Sequence, residues 1–167
     1  RARAGGAPAD HQRGAGAQCR GGRSQADVEG GRRGGHLAAG DSLVVMGDFN
    51  DGPGIDEFEK LFGHSGVEIV VGTSPDPALQ LTDPHAAMAL QSRVGIAPTT
   101  ARFYLAPQKR FFEALLDFIM VSPNLAAKRP EWRIWHPFND PRITEVPELA
   151  DALLAASDHF PVTIDLP

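Results

Sequence analysis

The chain has 167 residues, 42% of them hydrophobic, a formal charge of −5 and a single cysteine. That is enough apolar material for one domain with a real core, while one cysteine excludes an intrachain disulfide and a cysteine-based zinc site. No apolar run approaches the roughly 18 residues of a membrane helix, and the N-terminus lacks the apolar segment of a secretory signal, so the expectation is a soluble chain, cytoplasmic by default.

Residues 1–40 hold 11 Gly, 9 Ala and 7 Arg, and their only large aliphatics are Val28 and Leu37. Seven Arg against Asp10, Asp27 and Glu29 give this segment +4, which leaves −9 on the other 127 residues. Such a composition buries little. It reads as a low-complexity segment, disordered or outside the native frame, because GC-rich DNA read out of frame yields these residues. A basic nucleic-acid arm is the alternative, but no aromatic residues are interleaved and no Arg-Gly-Gly unit repeats regularly. The folded body is expected over residues 41–167.

In that body Leu43 to Met46 reads as a buried strand that ends in Gly47-Asp48-Phe49-Asn50-Asp51. An acid and an amide two positions apart on extended chain point to the same side, a posture suited to gripping a metal-bound phosphate. The turn chemistry of Gly52-Pro53-Gly54 leaves open a plain capped turn. Ile55, Phe58, Leu61 and Phe62 fall on one helical face, with Gly63 where a helix would stop. Val67 to Val71 reads as a strand, and Pro75, Pro77 and Pro84 mark an irregular connection before a short helix around His85 to Leu90. Ala101 to Ala106 is a strand candidate. Ala114 to Ser122 is a stronger one, with Asp117 as its odd polar member. A helix follows over Val146 to Ala156, with Pro147 near its start, and Phe160 to Leu166 closes the chain as a strand.

Three of these strands carry unexplained polar groups. Asp48 and Asn50 end one, Asp117 sits inside another, and Asp158 with His159 opens the last. A solvated histidine at a helix C-terminus is the plain reading of an isolated Asp158-His159. If the strand ends converge, three carboxylates, an amide and an imidazole surround one point. That inventory suits hydrolysis of a phosphate ester with Mg²⁺ or Mn²⁺, which prefer oxygen ligands. A carboxylate positions or deprotonates water, an amide donates to a phosphate oxygen without repelling it, and a charged imidazole held by an acid stabilises the transition state.

Taken in order and spacing, "GDFND", "LLDFIMVS" and "SDHFPVTIDL" resemble the endonuclease/exonuclease/phosphatase superfamily, whose members resemble deoxyribonuclease I. The resemblance covers residues 43–167. It implies an α/β fold, the C-terminal half of a four-layered α/β sandwich with mixed sheets, and metal-dependent phosphoester cleavage. It assigns Asp48 to orienting or activating the attacking water and to the metal, Asn50 to the phosphate, Asp158 to the metal, His159 to the phosphate, and Asp117 to holding His159 in tautomer and orientation. Thr99 or Thr100 falls where many members carry a phosphate-side Thr. Leu116 stands where the family often has Arg. The family's first half supplies an Asn, the principal metal-binding Glu and a Tyr or His, none with a counterpart here, so the expectation is an incomplete copy with little activity of its own. The alternative is a non-catalytic remnant or phosphate-binding module. The substrates implied are DNA, a phospholipid head group or a small phosphodiester. Arg102, Lys109, Arg110, Lys128, Arg129 and Arg133 could form a basic rim, while Trp132, Trp135 and Phe138 are expected to pack in the core.

Overall fold

The computed structural model describes residues 33–52, 63–91 and 98–167. Along the chain lie β1 (Val44–Asp48), α1 (Gly66–Val71), α2 (Pro84–Gln91), β2 (Ala101–Leu105), β3 (Arg110–Ala114), β4 (Asp117–Val121), α3 (Pro123–Ala126), β5 (Glu131–Ile134), α4 (Pro141–Thr144), α5 (Pro147–Ala156) and β6 (Val162–Asp165). Helices and strands intermix, as an α/β fold requires. The strands pair as β1 with β4, β2 with β3 and β5 with β6, all antiparallel. The helix expected over Ile55 to Phe62 lies outside the described residues.

β4 is the spine of the core. Phe118, Ile119, Met120 and Val121 are all buried, so both faces of the strand are covered. On one face Phe118 and Met120 pack with Leu37, Val67, Leu81, Ala86 and Leu115. Residues 33–38 are helical, and Leu37 brings that turn into the same core. Beyond β4, Thr82 exchanges both backbone hydrogen bonds with Val121, and the Trp132 indole donates to the Ile119 carbonyl at 2.7 Å. The strand is thus tied to the chain on every side, which accounts for its near-continuous apolar sequence.

β1 differs from the buried strand expected of its sequence. Val45 packs on the core, but Val44 and Met46 are 38% and 71% exposed. The alternation of a strand sends these two to the face that carries Ile119 and Val121 on β4.

The "VEIVV" run is a helix rather than a strand. Ser65 is its N-cap, accepting from the Glu68 N–H, while the Glu68 carboxylate accepts from the Ser65 N–H at 2.8 Å. This reciprocal capping box satisfies two donors at the helix start and outweighs the modest strand preference of Val and Ile. Gly72 ends α1 at φ +118°, and a Cβ there would come within 2.9 Å of the Leu79 carbonyl oxygen, so the close approach requires glycine.

The run from Ala114 to Ser122 is also divided. Ala114 closes β3, Leu115 and Leu116 form a link, and β4 starts at Asp117. The closing strand is shorter than Phe160 to Leu166, because Pro161 has no N–H to give to a ladder. The aromatics expected in the core lie at its margin instead: Trp132 and Trp135 are only partly buried, and Phe138 is 46% exposed. The expected strand Ala101 to Ala106 and the helices near His85 and Pro147 are present with closely similar bounds.

Candidate active site

The β1–β4 ladder runs out at a pair of acids. Asp48 and Asp117 are direct partners in the register, so their side chains share one face of the sheet. Like charges facing each other across a ladder repel, and neither strand supplies a cation to relieve them. Other segments do. The His159 Nδ1 lies 2.9 Å from Asp117 Oδ2, and Asp48 accepts from the Asn50 backbone N–H at 2.8 Å and from its side-chain amide at 3.1 Å. An ionised carboxylate only accepts, so Nδ1 carries the proton and Nε2 is the free end of the ring.

Local sequence sets this arrangement. Phe49 turns inward, its ring 5.2 Å from that of Phe118 and its N–H donating to the Leu116 carbonyl. The residues on either side of it, Asp48 and Asn50, therefore turn outward. Asn50 takes a left-handed conformation, φ +50°, which asparagine tolerates better than most residues when its own neighbourhood offers hydrogen bonds. Asp48 offers them.

The histidine arrives from the C-terminal end. Ala101 bridges His159, the Arg102 N–H donates to the Asp158 carbonyl at 2.7 Å, and the Phe160 N–H donates to the Thr100 carbonyl at 2.6 Å. Buried Phe160 anchors the segment, and Ser157 Oγ accepts from the His159 N–H. Thr100 is fully buried, and its hydroxyl accepts from the N–H groups of Leu116 and Asp117 at 2.9 and 3.0 Å. It fixes the link into β4, and so fixes where Asp117 stands.

Ligand atoms of Asp48, Asp117 and His159 lie within 4.8 Å of one another. Asn50 adjoins them through Asp48. Asp158 stands outside that group of three, close enough for its charge to act on His159. Partial burial alone would lower the His159 pKa, but the hydrogen bond to Asp117 and the charges of Asp117, Asp48 and Asp158 outweigh it and hold the imidazole above its ordinary value. The donor set suits a hard divalent cation in part. Asp48 is exposed and keeps lone pairs beyond those that Asn50 uses, while no glutamate joins the group among the described residues.

One neighbouring feature is missed by reading for acids and amides alone. In the β2–β3 hairpin Tyr104 faces Phe111 and Arg102 faces Glu113, giving an aromatic and charged face next to Asp158. The signal in the sequence is the pair of alternating runs "RFYL" and "RFFE". Three of the six basic residues expected to form a rim lie over rings instead: Arg102 over Phe111 and Phe138, Arg110 over Phe112, and Arg133 over Trp135. Among the described residues no helix is long and apolar enough to cross a membrane.

A model of the Endonuclease/Exonuclease/phosphatase family matches residues 16–159, most of the chain. No curated protein and no solved structure matches it.

Proposed function

Because the chain belongs to the endonuclease/exonuclease/phosphatase family, we propose that it hydrolyses phosphoester bonds with a divalent cation at the site of Asp48, Asn50, Asp117 and His159. Members of the family are usually hydrolases and commonly use a divalent metal. The observation that carries the reading is the pairing of Asp48 with Asp117 at the ladder's end, with His159 hydrogen-bonded to the second acid.

Each side chain then has a task. Asp117 holds the His159 ring through Nδ1, so that Nε2 faces a phosphate oxygen and stabilises its developing charge. The Asn50 amide donates to the phosphate without adding negative charge. Asp48 orients the attacking water and accepts its proton. Asp48 would hold Mg²⁺ or Mn²⁺ at this site, with Asp158 as a further acid beside His159, and the ion when bound neutralises phosphate oxygens. The reading extends to the family's four-layered α/β sandwich, with residues 41–167 as its C-terminal part. The exposed side chains of Val44 and Met46, on a strand whose only described partner is β4, support that placement.

A second reading, phosphate binding without turnover, is favoured by the absence of a glutamate from the acidic group among the described residues. Hydrolysis of bis(4-nitrophenyl) phosphate with Mg²⁺, with Mn²⁺ and with chelator decides between them. Metal-dependent turnover that Asp48→Ala abolishes supports hydrolysis; binding of inorganic phosphate with no turnover under any condition supports the second reading.

A further inference from the structure

Next to His159, at Asp158, lies an open cavity of about 500 Å³, lined among others by Arg102, Tyr104, Phe111, Phe138, Leu154 and Asp158. Among the described residues it is an aromatic shelf left open. Tyr104, Phe111 and Phe138 are 53%, 57% and 46% exposed, unusual for three rings in one place. The Arg102 guanidinium stands 4.7 Å from the ring centres of both Phe111 and Phe138, with Glu113 Oε1 3.6 Å from its Nε. Tyr104 meets Phe111 edge-on at 5.3 Å. The rings are therefore held in place by a cation rather than by burial.

Resting on the phosphoester reading above, we propose that this shelf receives the nucleoside part of the substrate, with Tyr104, Phe111 and Phe138 as the residues that determine that specificity. Position supports it. The strand that carries Arg102 and Tyr104 is hydrogen-bonded to residues 158 and 159, so the shelf begins where the imidazole is mounted. Chemistry supports it too. Exposed rings beside a guanidinium stack a base through its π-face, whichever base it is. Ser157 and Asp158 on the rim offer oxygen acceptors for base or sugar hydrogens. A lipid chain would find no apolar enclosure here, since a cation and an acid stand in the walls. The volume is that of a small-molecule site and admits one nucleoside.

The test is calorimetric binding to the full chain of adenosine 5′-monophosphate against methyl phosphate. The two share a phosphate, and only one has a base. The expected result is tighter binding of the nucleotide by about tenfold or more, the scale of one stacked base. Tyr104→Ala and Phe111→Ala should bring it to the level of methyl phosphate, and Tyr104→Phe should retain it. Both substituted side chains are more than half exposed, so these variants should fold, as their melting curves will verify. Equal binding of the two ligands, binding of neither, or an alanine series with no effect overturns the shelf. If the nucleotide binds through Tyr104 while turnover of every phosphodiester is absent, the shelf stands and the hydrolytic reading fails.

Discussion

Two of the Asp–His pairs among the described residues are made of the same parts and put to opposite uses. In the first, Asp117 and His159 are hydrogen-bonded at 2.9 Å and only partly buried. In the second, Asp83 is 3% exposed and His85 Nδ1 is 3.7 Å from its carboxylate, beyond hydrogen-bond reach. The Asp83 oxygens are already taken: one accepts from the N–H groups of His85 and Ala86 at the start of α2, the other from the Ile119 N–H of β4. Burial is the leading influence on His85 and lowers its pKa, with the nearby Asp83 charge opposing, whereas at His159 the acids prevail. Burial also raises the Asp83 pKa above the usual carboxylate value. A carboxylate spent on backbone donors is a structural bolt. One with oxygens to spare beside water can orient an imidazole for chemistry.

The comparison breaks most visibly at Asp83. Asp83→Ala would leave three N–H groups without their acceptor, at about 1–3 kcal/mol for each that stays buried, so the loss of stability in urea unfolding should be on the order of 3 kcal/mol or more. At the other pair the effect moves to activity. His159→Ala should reduce phosphodiester turnover by on the order of 10²-fold with little change in melting, since the ring is partly exposed and its loss leaves no buried group unpaired.

Ser65→Ala sharpens what capping alone contributes. Ser65 serves only its own helix, whereas Asp83 ties a helix to β4, so this substitution should cost about 1 kcal/mol in the same unfolding measurement.

The smallest effects are in pH dependence, where the two histidines act with opposite signs. His85 has a lowered folded pKa. Its contribution to stability is present above the unfolded value of about 6.5 and is lost as pH falls through the folded value. His159 has a raised folded pKa, so its contribution is full below about 6.5 and is lost as pH rises through the folded value. On lowering pH from neutral, His85→Gln should flatten the loss of melting temperature and His159→Gln should deepen it.

Much of the site was legible in the sequence because short-range alternation decides it. In Asp48-Phe49-Asn50 an inward ring between two outward polar groups needs only a strand end, and the polar residues on three strands pointed to one place. The buried exposure pattern of β1 was not legible, since Val44 and Met46 are apolar whether or not anything covers them. Nor was α1, where Val and Ile favour a strand and the deciding residues, Ser65 and Glu68, are polar. The roles of Thr100 and Asp83 depend on backbone donors far away in sequence, at Leu116, Asp117 and Ile119, and no local pattern announces such partners.

The most direct test of the account is a side-by-side measurement of metal-dependent phosphodiester turnover by the unaltered chain, Asp117→Asn and Asp83→Asn, at a temperature below all three melting midpoints. The account predicts low but measurable metal-dependent turnover by the unaltered chain, a fall on the order of 10²-fold in Asp117→Asn, where a neutral amide replaces the carboxylate that holds the imidazole, and unchanged turnover in Asp83→Asn. An unaltered chain without turnover, or Asp117→Asn as active as its parent, would contradict it.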